Sequence, residues 1–283
     1  MSWKLTAARL VDRGLRLLLS SDQRIALGNY LVTRASGDGN TDRATNGEAR
    51  VFRRFADAAR ARGGALTVFD VGANVGDWTY DCAAALGSES RVFAFEPVRP
   101  TFDVLTARLR DHPPGPAVTP VRAALSDRDG DAPIFVCAAA GAAGAELNSL
   151  HARHTEREGL RFDRGDIVPL VRGDTYCAGQ AVGRIDFLKI DTEGHEVAVL
   201  RGFRETLAAG RVGVIQFEYG GAWLDSRTQL LDAFDLLAPL GYEIGRIRPD
   251  GVAVMPVYNQ AADNFRYANY LAFRPEWRDA LVG

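Results

Sequence analysis

Short apolar runs alternate with segments of helical period over most of the chain. Leu66–Val71, Arg91–Phe95, Val118–Ala124, Ile185–Ile190 and Val212–Phe217 are rich in Val, Ile and Phe and short enough to be buried strands. Ala132–Cys137, Ile167–Val171 and Tyr270–Phe273 add further strands, and Tyr242–Ile247 with Val252–Met255 forms a hairpin turning at Pro249-Asp250-Gly251. Between them, helices are predicted from Asn46 or Gly47 to Arg60, and over Trp78–Leu86, Pro100–Arg110, Gly194–Leu207 and Gln229–Leu237. Val51, Phe52, Phe55 and Ala59 face inward on the first of these, and Val197, Leu200 and Phe203 on the fourth. Strand and helix in alternation predict an α/β fold with a mostly parallel, doubly wound sheet.

The amino-terminal pattern differs. Residues 4–19 form an amphipathic helix, with Leu10, Val11, Leu15, Leu17 and Leu18 opposite Arg9, Asp12, Arg13 and Arg16. Asp22–Val32 is a second helix and Ser36–Gly47 a polar loop, so residues 1–46 are expected to be a helical extension to a domain at 47–283. The first helix suits packing on that domain or on a second subunit of a homo-oligomer. The alternative is a peripheral membrane contact for a lipid-linked substrate. Ala138–Ala145 predicts no structure, and Glu146–Gly165 is a polar insert expected to be a flap. Its His151 and His154 lack a third ligand at metal spacing and are expected to be solvated.

Composition narrows the class. A net charge of −2 gives no electrostatic reason for a nucleic-acid partner. Cys82, Cys137 and Cys177 match no metal spacing and read as reduced thiols. No run is long enough to span a membrane and no signal peptide is visible, which predicts a cytoplasmic protein. Lys189 stands inside a buried strand, where it needs a carboxylate partner.

The chemistry concentrates after the first strand. Asp70-Val71-Gly72-Ala73-Asn74-Val75-Gly76-Asp77 reads as a strand end, a glycine turn and a helix start, with Asp77 as the cap. Asn74 stands where the dinucleotide fingerprint G-x-G-x-x-G has its second glycine, and Asp70 would repel a pyrophosphate. S-adenosylmethionine has no phosphate and carries an ammonium and a sulfonium, so Asp70 suits it. Ligands of such sheets lie beyond the carboxyl ends of the strands, where Asp70, Glu96, Asp127, Asp191 and Glu218 recur. Glu96 can take both ribose hydroxyls, Ser126 and Asp127 can meet the adenine, and Val98 and Leu125 can sandwich it.

These motifs, with Phe95-Glu96-Pro97, Ala124-Leu125-Ser126-Asp127 and Asp186-Phe187-Leu188-Lys189-Ile190-Asp191-Thr192-Glu193-Gly194-His195-Glu196, resemble the FkbM family of S-adenosylmethionine-dependent methyltransferases. The resemblance covers about residues 47–273. It implies a class I methyltransferase (Rossmann-like) sheet of seven strands and O-methylation of a sugar, glycan or other natural-product hydroxyl, with S-adenosylhomocysteine as product. The donor-binding set is then Asp70, Gly72, Asn74, Gly76, Glu96, Pro97, Ser126, Asp127 and Asp191. Asp174-Thr175 departs from the leucine-aspartate pair usual in similar proteins, and no role is carried onto it.

A hydroxyl acceptor must lose a proton, and Asp191, His195 and Glu218 are the candidate catalytic residues. Asp191 and Glu218 can instead hold a divalent cation, but no full ligand set is visible, and the metal-free reading is preferred. Competing readings are N-methylation of an amino sugar or protein side chain, a nicotinamide oxidoreductase, and a silent donor-binding protein.

Overall fold

The computed structural model describes residues 3–137, 147–153 and 161–282. Residues 138–145, for which the sequence predicts no structure, and His154 lie outside the described residues. The chain divides into two compact units, Met1–Gly39 and Asn40–Gly283.

The first unit is a helix pair, α1 (Trp3–Leu18) and α2 (Ser21–Ser36). Ser20 caps α2 by accepting from the Gln23 amide, and Gln23 Oε1 accepts from the Ser20 amide in return. Asp12 ties the helices together, bonding Arg16 at 2.8 Å and Arg24 at 3.2 Å. Leu10, Val11, Leu17 and Leu18 are exposed, and α2 buries no residue. No described helix is long and apolar enough to cross a membrane.

In the second unit, α3 (Glu48–Arg62) precedes β1 (Thr67–Val71), and α4 (Asp77–Ala85), β2 (Arg91–Phe95), α5 (Arg99–Asp111) and β3 (Ala117–Val121) follow. Then come β4 (Ala124–Ser126), β5 (Gly130–Cys137), β6 (Phe162–Arg172), α6 (Gly173–Gly179) and β7 (Ile185–Ile190). The chain continues through α7 (Glu196–Gly202), α8 (Arg204–Ala208), β8 (Val212–Tyr219), α9 (Ala222–Ser226) and α10 (Leu230–Leu237). It ends with β9 (Glu243–Arg248), β10 (Gly251–Val254), β11 (Ala268–Phe273) and α11 (Arg278–Val282).

The main sheet runs β10-β9-β11-β8-β7-β1-β2-β3. β8, β7, β1, β2 and β3 are parallel, whereas β11 is antiparallel to both its neighbours. This is the class I methyltransferase sheet with one strand more than the seven expected. The extra strand is the hairpin arm β10, which continues the ladder beyond β9. Both faces are covered, as a parallel sheet requires. Phe69, Phe95, Leu188, Phe203 and Phe217 pack on one side, and Phe52, Phe55, Trp78, Phe187 and Trp277 on the other.

Three expectations are corrected. The run Val118–Ala124 is not one strand: it breaks after Val121, and β4 joins β6 and β5 in a separate three-stranded sheet. The helix expected over Gly194–Leu207 breaks at Phe203, because buried Asp174 accepts from the Glu205 and Thr206 amides and caps a second start. Asp77 is not the cap of α4: Gly76 holds that position in the left-handed region, and Asp77 pairs with Arg108 instead.

Candidate active site

Strand order reverses direction between β1 and β7, and a cavity of about 500 Å³ opens beyond their carboxyl ends. One wall is the loop after β1. The Gly72 and Ala73 amides donate to the Phe95 carbonyl at 3.0 and 2.9 Å, which fastens the loop to β2. Gly72 has φ +83°, and a Cβ there would lie 1.7 Å from the Asp191 carbonyl oxygen. What demands this glycine is therefore the neighbouring backbone rather than a ligand. Asn74 also sits at positive φ, and its buried Oδ1 has no hydrogen-bond partner among the described residues.

Glu96 lines the cavity at 6% exposure. Its Oε2 accepts from the Asn74 amide at 3.0 Å and its Oε1 from the Val98 amide at 2.8 Å. Burial pushes it up to about 7 despite those two amides, which favour the ionised form. Pro97, Val98, Ala123, Ala124 and Leu125 continue an apolar wall beside it.

Asp70 does not face this space. It is fully buried, Thr79 Oγ1 donates to it at 2.6 Å, and Lys189 Nζ lies 3.6 Å away. The strand register puts Asp70 directly opposite Lys189, so the pleat turns both to the same face of the sheet. Lys189 also donates to Asp191 Oδ2 at 3.0 Å. That answers the need for a partner, and Asp70 reaches the cavity only through Lys189. Burial pushes Asp70 up, with Lys189 opposing it. Lys189 resists its own burial because Asp191, Asp70 and Glu48 keep it charged.

Asp191 and Glu218 both line the cavity and hydrogen-bond to each other. Burial alone would raise Asp191, but Lys189 and a hydrogen bond with Glu218 hold it below the usual carboxylate range. Glu218 is pushed well up by burial and then by the charges of Asp191 and Glu193. Single oxygens of Asp191, Glu193 and Glu218 lie within 4.8 Å of one another, a spacing that can accept a divalent cation.

His195 lines the cavity, but neither ring nitrogen is open. Nε2 lies 2.9 Å from Ser126 Oγ, and Nδ1 lies 3.0 Å from His151 Nε2. Burial, then the neighbouring His151, lowers it to about 3, so it is neutral at working pH. Both ring nitrogens are thus occupied by Ser126 and His151. His151 is correspondingly not a solvated surface histidine. Its segment is anchored, since Ser149 pairs with Phe135, and Ser149 Oγ donates to the Glu193 carbonyl at 2.7 Å. Ser126 is fully buried against His195, and neither it nor Asp127 is among the residues that line the cavity.

Of the sequence candidates, the structure brings Gly72, Asn74, Glu96, Pro97, Asp191, His195 and Glu218 to one cavity. Gly76 stands behind the loop, where an added Cβ would meet Leu105 at 2.6 Å. Sequence reasoning missed Arg43, Arg153 and Tyr267, which join the cavity from distant segments. Buried Glu48 accepts from Gln216 at 2.6 Å and Asn269 at 2.9 Å, fixing the polar floor.

An adenosyl donor suits this lining. Each Glu96 oxygen keeps a lone pair beyond its backbone contact, Val98 and Leu125 offer apolar faces, and Asn74 Oδ1 is an unused acceptor. When bound, such a donor supplies an electrophilic methyl group on a sulfonium.

Comparison with known proteins is consistent with that chemistry. The methyltransferase FkbM domain matches residues 70–244. Hexuronic acid methyltransferase AglP of Haloferax volcanii is 30% identical over 178 residues, 63% of this chain and 65% of that one. This chain thus spans just under two thirds of that relative's length. Among solved structures, methyltransferase FkbM from Methylobacillus flagellatus KT superposes with a TM-score of 0.45 at 15% identity, covering 73% of this chain and 43% of the other. The O-methyltransferase TomG of Streptomyces achromogenes, in complex with SAM, gives 0.39 at 13% identity, covering 82% and 79%.

Proposed function

The chain belongs to the FkbM methyltransferase family, and on that premise we propose that it methylates a hydroxyl oxygen of a sugar. The methyl donor of the family is S-adenosylmethionine. The sugar acceptor rests on the hexuronic acid methyltransferase to which the chain is 30% identical. The observation that carries the hydroxyl is the Asp191–Glu218 pair, two hydrogen-bonded carboxyl groups that both line the cavity.

In this reading Glu96 accepts from the ribose hydroxyls, and Val98 and Leu125 flank the purine. Asp191 takes the acceptor's proton. A hydroxyl oxygen grows strongly acidic as it gains its new bond, so a carboxylate held at low pKa is base enough. Glu218 orients Asp191 and the acceptor by hydrogen bonding, and Lys189 fixes Asp191 from the opposite side. His195 holds the 147–153 segment over the site through His151 and takes no proton.

The test is transfer from methyl-labelled donor to a panel of hexoses, hexuronic acids and amino sugars, with the product located by mass spectrometry. A sugar methyl ether, stable to mild alkali, is expected. Label on nitrogen, an alkali-labile ester, or no transfer to any sugar would overturn the assignment.

A further inference from the structure

Among the described residues, six acidic side chains line the cavity: Glu48, Asp77, Glu96, Asp191, Glu193 and Glu218. Such a lining repels any ligand carboxylate unless a cation receives it. Among the described residues, three cationic side chains line the cavity, Arg43, Lys189 and Arg153. Two of them are already committed. Lys189, at 5% exposure, lies 3.0 Å from Asp191 and 3.6 Å from Asp70. Arg153, at 9% exposure, lies 2.7 Å from Glu193 and 3.3 Å from Asp225.

Arg43 is different. Its side chain keeps 35% of its surface exposed, and its ion-pair partner among the described residues, Asp81, is 3.6 Å away and itself 69% exposed. At that distance there is charge contact without a hydrogen bond, so the guanidinium's fork of donors is open. Its backbone is nonetheless held in place. Asp42 N donates to Asn40 Oδ1 at 3.1 Å, Ala44 N to Asp42 Oδ1 at 3.0 Å, and Thr45 Oγ1 to Asp42 Oδ2 at 2.9 Å. Asn46 N closes the turn onto the Asp42 carbonyl at 2.8 Å. A fixed backbone carrying an open guanidinium beside an acidic cavity is the arrangement that bidentate carboxylate recognition requires.

We propose that Arg43 is the carboxylate-binding residue of the cavity, receiving the amino-acid carboxylate of the methyl donor or the carboxylate of an acidic sugar acceptor. The inference rests on the methyl-transfer reading for its ligands, and its two sources are separable.

The donor arm is calorimetry on the full chain with S-adenosylhomocysteine and its decarboxylated analogue, for wild type, Arg43→Ala and Arg43→Lys. The acceptor arm compares KM for a hexuronoside with KM for the corresponding neutral hexoside. If the donor is the source, Arg43→Ala weakens S-adenosylhomocysteine about tenfold or more, spares the decarboxylated analogue, and Arg43→Lys recovers part of the loss. If the acceptor is the source, KM for the hexuronoside rises about tenfold while kcat and the hexoside are unchanged. Equal effects on ligands with and without a carboxylate, or no effect on either arm, overturn the proposal. Should wild type methylate no sugar, the sugar reading fails, and the donor arm alone decides the role of Arg43.

Discussion

Replacing Glu96 by glutamine probes donor recognition at its most constrained contact. A carboxylate has about four lone-pair positions. Here two are spent, one on the Asn74 amide at 3.0 Å and one on the Val98 amide at 2.8 Å, which leaves two for the ribose hydroxyls. Glutamine keeps the shape but turns one oxygen into an NH2 that faces a backbone N–H and donates where an acceptor is needed. One ribose bond is lost outright, and a hydrogen bond to a charged group contributes about 1.5–3 kcal/mol. Donor affinity should therefore fall about 10- to 150-fold, read by calorimetry with S-adenosylhomocysteine. The pH dependence gives a second signature. Burial places Glu96 at about 7 in the free protein, while the ribose hydroxyls favour its ionised form. Binding should then release protons and tighten as pH rises from about 6 to about 8, and Glu96→Gln should lose that slope. An affinity within about threefold of wild type, in a folded variant with the slope intact, would refute this use of Glu96.

Other positions test the rest of the architecture. Gly72→Ala drives a Cβ to 1.7 Å from the Asp191 carbonyl at φ +83°. Left-handed strain of about 1–2 kcal/mol plus overpacking of about 1–3 should lower the melting temperature by roughly 5–15 °C, and an unchanged transition would contradict the clash. Asp191→Asn should cut kcat by about 10²–10⁴-fold, whereas near-normal turnover would remove Asp191 as the base. His195→Gln should leave the pH–rate profile unshifted, because His195 is held at about 3, and a displaced limb would show that it titrates. The same depression links His195 to acid stability. The unfolded chain protonates it near 6.5, but the folded one refuses the proton down to about 3. Stability should therefore fall with decreasing pH across that window, at up to about 1.4 kcal/mol per unit from this group. Urea titrations of wild type and His195→Gln would show the slope lessened, and equal slopes would contradict it.

The parallel core was legible because strands buried on both faces are written as unbroken apolar runs, as in Ile185–Ile190. Glu96, Asp191 and Glu218 could be placed because each stands at or beside the carboxyl end of its strand. Asp70 also stands near the end of its strand but turns to Lys189, a pairing that aligning the two strand ends would have revealed. The second sheet escaped notice because no glycine marks the break between Val121 and Ala124. The broken helix is capped by Asp174, thirty-one residues before Glu205, and no local pattern reports so distant a partner. For the same reason Arg43, Arg153 and Tyr267 could not be assigned, since only the closed fold brings them to the cavity. His151 carried a weak signal at most: a histidine in a polar stretch looks solvated until the fold sets it 3.0 Å from His195.

A crystal structure of the chain grown with S-adenosylhomocysteine decides where the donor sits. The ribose hydroxyls should lie on Glu96, the purine between Val98 and Leu125, and the sulfur toward Asp191. A nucleoside lodged outside this cavity, or a dinucleotide lying across residues 72–76, would contradict that placement.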